Sequence, residues 1–198
     1  MASSRRDHLV DTALDLFCRD GFNATGIDRI LAKSGVAKMT LYKHFRSKDE
    51  LILAALRLRD ERFRNWFVRA VESRTRDPRQ RLLAVFDALG EWFGGEGFSG
   101  CTFINAAAEF IRRDDPVRTT AAEHKRLVFA YIRGLAKDAG AADAEALAWD
   151  LTLLLEGAIV MAHVGGQKAA AARARAAAER LIASALPAAS HAKESHPD

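Results

Sequence analysis

The sequence predicts an all-α protein, with an N-terminal three-helix domain of helix-turn-helix dimensions joined to a larger helical domain. Three observations lead there. Apolar residues recur with the helical period along the whole chain, and no run alternates apolar and polar residues between turns as a half-buried strand would. The prolines stand at helix borders: Pro78 behind Asp77 and Pro116 behind Asp115 read as first helical residues after an N-cap, Pro187 closes the last helix, and Pro197 lies in the tail. Gly21 and Gly35 punctuate the first 48 residues into three short periodic segments, as glycines that close helices do.

Taken in order, the first helix is expected over about 4–20, with Leu9, Ala13, Leu16 and Phe17 on one face. A short second helix spans about 26–34 and a third about 37–45. A long fourth follows over about 47–74, then helices at about 78–93, 103–112, 116–139, 143–164 and 169–186. Four glycines in the seven residues from Gly94 to Gly100 mark a loop. The domains are expected at 1–48 and 49–188, with 189–198 a disordered tail.

Composition sets the class. Of 198 residues, 49% are hydrophobic and 28% charged, enough for a sizeable core. No charged-then-apolar leader ending in small residues occurs, and Leu151 to Gly166 is interrupted by Thr152, Glu156 and His163, so neither a signal peptide nor a membrane partner is expected. Two cysteines, Cys18 and Cys101, form neither a disulfide framework nor a zinc pattern, which suits a reducing cytoplasm. No phosphate-cradling glycine motif, His-Glu-x-x-His or catalytic carboxylate pair is present, so no enzyme, cofactor or metal is expected.

The net charge of +4 is concentrated at one end. Residues 1–48 hold nine Lys/Arg against five acids, and the remaining chain carries equal numbers of each. From Arg29 to Lys48 there are six basic residues and no acid, the pattern of a segment that meets a polyanion or of a solvated basic face. Thr25-Gly26-Ile27-Asp28 and Ser47-Lys48-Asp49-Glu50 both read as capping boxes. Between them Ile27, Ile30, Leu31, Val36, Leu41 and Phe45 supply apolar volume to fix two short helices. At about 100° per residue, Leu41 and Phe45 share the inner face of the third helix. Met39 and Lys43 then point away from the core, flanked by Thr40 and Tyr42, a set suited to the major groove of double-stranded DNA. Thr25, Lys38, His44 and Lys48 fall where phosphates would be held near helix ends.

The stretch GFNATGIDRILAKSGVAKMTLYKHFRSKDEL resembles the signature of the TetR (tetracycline repressor) family over about Leu9 to Leu51. Its marks are the Gly-Phe entry, the Thr before an apolar-x-x-Ile helix, the Ala-x-x-x-Gly-Val turn, Thr-Leu-Tyr, and the aromatic-His-Phe-Ser-Lys run. The resemblance implies a homodimer whose third helix reads the major groove of operator DNA and whose C-terminal domain binds a small-molecule effector that lowers DNA affinity. It places Thr25, Lys38, Thr40, Tyr42, His44 and Lys48 on DNA-contact positions; Met39 and Lys43 come from the helical wheel. Two departures stand out. Ala37 occupies a position where the family often has Ser, which removes a side-chain N-cap at a cost of about 1 kcal/mol. Met39 stands where Gly is common, which alters base preference.

In the larger domain an apolar effector cavity is expected, with Trp66, Phe67, Phe86 and Phe103 as walls and Asn105, Glu109, His124 and Glu156 as placed polar groups. His163 is a further polar candidate, and ordinary core packing is the alternative for each aromatic. The helix from 143 is apolar nearly all round, through Leu151, Leu153, Leu154, Leu155, Ala158, Ile159, Val160 and Met161, and must be covered on two sides. With the Ala-rich last helix it makes a four-helix dimer interface, expected to use Leu151, Leu154, Leu155, Ala158, Met161 and Leu181. The rival to an effector-gated repressor is a regulator or small-molecule-binding protein that senses redox state through Cys101. Activation in place of repression is the minority alternative.

Overall fold

The computed structural model describes residues 4–186. Among these residues there are nine helices and no strand. The expected tail and the roles assigned to Pro187 and Pro197 lie outside the described residues.

α1 (Arg5–Asp20) starts behind Ser4, whose hydroxyl accepts the Asp7 N–H at 3.2 Å, and buries Leu9, Ala13, Leu16 and Phe17 as its wheel requires. It stops at Gly21, where φ is +88°. α2 (Ile27–Ser34) departs from expectation at its start. Its N-cap is Gly26, with no side-chain cap bond, because the Thr25 hydroxyl is turned inward. That hydroxyl donates to the Gly21 carbonyl at 2.7 Å and to Leu16 at 3.4 Å, locking the α1–α2 turn. Gly35, with φ of +67°, closes α2 by donating its N–H to Leu31 at 2.9 Å. This is the sharp turn into α3 (Lys38–His44), which begins behind Ala37 without a side-chain cap.

α4 (Lys48–Glu72) does begin with a capping pair. Ser47 accepts the Glu50 N–H at 3.2 Å, and Glu50 reaches back to the Arg46 N–H at 2.7 Å. Its first turns pack on α1 through Leu51, Ile52, Ala55 and Leu56, and its second half enters the body through Phe67, Ala70 and Val71. The body consists of α5 (Pro78–Gly94), α6 (Thr102–Glu109), α7 (Pro116–Asp138), α8 (Ala144–His163) and α9 (Ala170–Ala185). Asp77, Asp115 and Asp143 cap α5, α7 and α8, with proline at the first position of α5 and α7.

α5 packs on α9 and α7 on α8, while α8 lies along α9. The apolar face of α5, from Leu82 to Leu89, is the centre of this bundle. α6 ends at Glu109, three residues before the expected stop, and bridges α4 and α7. α8 is long and apolar enough by length and composition to cross a membrane, although Thr152, Glu156 and His163 interrupt it. In the fold, Leu147, Leu151, Leu155 and Ile159 are buried against the chain's own helices and Glu156 pairs with Lys125.

Candidate nucleic-acid interface and effector cavity

The outer face of α3 is built from behind. Leu41 is fully buried and Phe45 nearly so, each contributing about 1.5–3 kcal/mol of apolar burial. That anchorage leaves Met39 82% and Tyr42 47% exposed, with Lys38, Lys43 and His44 exposed beside them and Thr40 half-buried. Lys38 Nζ lies 3.7 Å from an Asp28 carboxylate oxygen, an exposed pair that water and salt screen easily. Lys48, at the start of α4, donates to the Asn23 carbonyl at 3.3 Å, which draws the α1–α2 turn and the α4 N-terminus together. Arg6 lies over the Phe45 ring at 5.3 Å and adds a cation near the same side. Thr25 is corrected: its side chain is fully buried and spent on two carbonyls, so it shapes the turn and presents no hydroxyl to a phosphate.

The body contains a cavity where α4, α5, α6, α7 and α8 meet. Phe63, Phe67, Trp92 and Phe103 supply its aromatic walls, with Leu155 and Ile159 behind them. Arg59, His124, Lys125, Glu156 and the thiol of Cys101 are its charged or titratable members. Its closed volume is about 10 Å³, the space of a single water. The His124 ring stacks on Phe103 at 3.7 Å between centroids and meets Phe63 edge-on at 5.6 Å. Burial holds this histidine far below its ordinary range, at about 4, against the opposing pull of Asp60. His124 is therefore neutral near pH 7. Its Nδ1–H donates to Asp60 Oδ1 at 2.7 Å as a hydrogen bond with the charge on the acid alone. Burial works to raise the Asp60 carboxyl, but bonds from Arg64 and His124 outweigh it and lower the group. Nearer the surface, the Lys125 ammonium is gripped by both Glu156 oxygens at 2.7 and 2.6 Å, and Nζ lies 3.4 Å from Cys101 Sγ.

Of the expected cavity residues, Phe67, Phe103, His124 and Glu156 line it. Four do not. Trp66 packs on the outside of Phe63 and Phe67, and Phe86 is fully buried in the bundle core. Asn105 turns back to donate to the Ser99 carbonyl at 3.1 Å. Glu109 points toward the DNA-facing head, where its two oxygens accept the Phe22 N–H at 2.9 Å and the Asn23 N–H at 2.6 Å. Gly21 permits that approach, since a Cβ there would stand 3.2 Å from the Glu109 carboxylate. His163 lies outside as well, edge-on to Phe98. Arg59, Phe63, Trp92 and Lys125 line the cavity without having been expected there. Arg59, Phe63 and Phe67 recur every four residues on α4, a face visible in the sequence, but which aromatic faces meet is decided between helices.

Three of the residues expected at a dimer interface, Leu151, Leu155 and Ala158, are also corrected. Leu151 and Leu155 are buried in the chain's own bundle, Leu155 facing the cavity, and Ala158 forms the floor of a groove between α8 and α9. Leu154 and Leu181 are half-buried and Met161 is exposed. The exposed large apolar side chains of α8 and its C-cap are Trp149, Leu153, Val160, Met161 and Val164, with Leu153 66% exposed.

α6 connects the two sites. Phe103, near its start, is a cavity wall; Glu109, at its end, holds the α1–α2 turn; and Thr102 Oγ1 lies 3.4 Å from Cys18 Sγ on α1. A small helical head with an exposed cationic helix, coupled to an aromatic cavity in a helical body, defines a two-domain helix-turn-helix regulator. The chain belongs to the TetR family: residues 9–55 match the bacterial regulatory proteins of the tetR family and residues 78–178 the tetracyclin repressor-like C-terminal domain. Its members are DNA-binding transcriptional regulators and not enzymes.

The chain is similar to the HTH-type transcriptional activator FasR of Mycolicibacterium smegmatis, 39% identical over 85 residues, which is 43% of this chain and 38% of the relative. It is 27% identical over 128 residues to the HTH-type transcriptional repressor NemR of Escherichia coli, 64% of either chain. The chain thus spans under two thirds of both relatives. A TetR-family transcriptional regulator from Streptomyces coelicolor superposes with a TM-score of 0.86 at 29% identity, covering 93% of this chain and 91% of the other. The reduced form of E. coli NemR gives 0.80 at 23% identity over 89% and 95%, a likeness of fold.

Proposed function

We propose that the chain is an effector-responsive transcriptional repressor that binds a pseudo-palindromic operator as a homodimer. Residues 1–48 serve as the reading head and 49–188 as the effector and dimer domain, working in the cytoplasm. The observation that carries this reading is α6, which joins a cavity wall at Phe103 to the α1–α2 turn at Glu109. In the closed cavity Phe103 rests on His124 and Glu109 holds the head in one orientation. An effector with an apolar body that displaces Phe103 moves α6, loosens that hold and shifts the spacing of the two α3 helices across the dimer. A two-fold reader needs half-sites about one helical turn or a multiple apart, so a small change of spacing forfeits one half-site. Effector and operator then oppose each other reciprocally.

DNA contact falls to Lys38, Met39, Thr40, Tyr42, Lys43 and His44, with Lys48 on a flanking phosphate. The exposed Leu153, Val160, Met161 and Val164, and the groove floored by Ala158, Ala170 and Ala174, support dimerisation through α8 and α9. Fluorescence anisotropy with the chain's own upstream DNA tests the head. Replacing Lys38, Tyr42 and Lys43 together by alanine should abolish specific binding and reduce the log–log salt slope of the dimer by about 4, roughly one unit for each phosphate that a lysine of either protomer no longer neutralises. Unchanged affinity and slope in a folded variant would remove the reading.

A second reading has one observation in its favour, the Lys125 ammonium 3.4 Å from Cys101 Sγ, which places a cation beside a thiol. Under it Cys101 is a redox sensor. Cys101 is buried, however, and Lys125 is already committed to Glu156. Thiol labelling read by mass spectrometry decides this: Cys101 reacting no faster than it does in a Lys125→Met variant rules sensing out.

A further inference from the structure

The cavity shares its mouth with a groove between α1 and the loop of residues 95–101, and Arg59 and Trp92 line both spaces. The groove is cationic: Arg19, Lys33, Arg59 and Arg62 line it against a single carboxylate, Asp15. Arg19 is neutralised by Asp20 at 3.0 Å and Arg62 by Asp11 at 2.5 Å. Inside the cavity, Lys125 is neutralised by Glu156. Arg59 differs. Among the described residues no carboxylate pairs with its half-buried guanidinium, whose contact is the Phe63 ring at 5.9 Å.

Resting on the reading of this cavity as the effector site, we propose that the effector is an organic anion with a flat apolar body, an aromatic carboxylate. Its ring lies among Phe63, Trp92 and Phe103 and its carboxylate takes Arg59 at the threshold. A planar guanidinium offers two parallel N–H groups to a carboxylate, the strongest neutral-pH pairing open to it. The groove concentrates anions in front of the mouth, and a cationic ligand would meet repulsion from Lys33 and Arg59, which no carboxylate neutralises among the described residues. A neutral ligand of the same shape would cover Arg59 without giving it a counter-ion, which costs desolvation. The ring enters by parting Phe103 from His124, since the closed volume of about 10 Å³ holds no ring.

Isothermal titration of the full-length protein with naphthoate, and with its neutral isostere naphthamide, tests this. Naphthoate should bind about ten-fold more tightly or better, as a charge-assisted pair adds, and added salt should narrow the gap. Arg59→Gln should abolish the preference for the acid by weakening the acid and not the amide, and Phe103→Ala should weaken both. Equal binding of acid and amide, weakened alike by Phe103→Ala, overturns the anion assignment while the effector cavity stands. Binding indifferent to Phe103→Ala, or no binding of either compound at millimolar concentration, overturns the assignment together with the cavity reading.

Discussion

Glu109 offers the sharpest test of how the body holds the head. Its carboxylate accepts two backbone N–H groups of the α1–α2 turn, Phe22 at 2.9 Å and Asn23 at 2.6 Å, across 87 and 86 residues of sequence. Both donors would otherwise be satisfied by water, so the gain is the net value of charge-assisted bonds. Such a bond contributes about 1.5–3 kcal/mol. The Asn23 bond is exposed and the Phe22 bond only part-buried, so the pair together contributes about 2 kcal/mol. Glu109→Ala should therefore release the turn by about 30-fold in its local opening equilibrium. Hydrogen exchange at the Phe22 and Asn23 amides reads this directly, and Glu109→Gln, which keeps one acceptor oxygen, should fall between the two. Thermal midpoint should drop by about 4–8 °C for a chain of this size. If both amides exchange at the wild-type rate in a folded Glu109→Ala protein, α6 does not hold the head and the route from cavity to DNA must run elsewhere.

Three further outcomes are expected. His124 binds its proton at about 4 when folded against 6.5 when exposed, so the unfolded chain binds more protons between those values. Stability is therefore lost as pH is lowered through that window, by about 3 kcal/mol on reaching pH 4. Urea midpoints measured from pH 7 to pH 4 should show that slope, and His124→Phe should flatten it; an equal slope in the variant assigns it to other groups. Leu41→Ala, at a site with no exposure, should cost about 2–5 kcal/mol and lose DNA binding through the misplaced α3, as denaturant unfolding and anisotropy would record. Leu153→Glu with Val160→Glu should yield monomer by sedimentation at micromolar concentration without loss of helicity, since both side chains are exposed in the single chain; a persistent dimer moves the interface off α8.

The positions that local chemistry governs were legible in the sequence. Helix starts at Asp77-Pro78 and Asp115-Pro116, the Ser47–Glu50 cap and the Gly35 turn depend on residues within four of one another, and each is in place. The inner face of α3 was legible too, because Leu41 and Phe45 sit one turn apart on a helix too short to have two apolar faces. The same reasoning misplaced Thr25, whose hydroxyl has a choice between capping α2 and bonding the carbonyl of Gly21 behind it. Both are local bonds, and the buried one won.

What tertiary structure decided is who faces whom. α8 is apolar nearly all round, so its sequence states that two sides are covered without saying which residues belong to which side. Only the packing of α7 and α9 assigns Leu151 and Leu155 to the interior and leaves Leu153 and Val160 outside. Glu109 looked like a polar group for the cavity because it shares α6 with Phe103, yet it sits at the far end of the helix, where the turn after α1 supplies two unpaired N–H groups. Helix periodicity depends on neighbours three and four residues apart; a partner 87 residues away enters only when the chain is folded.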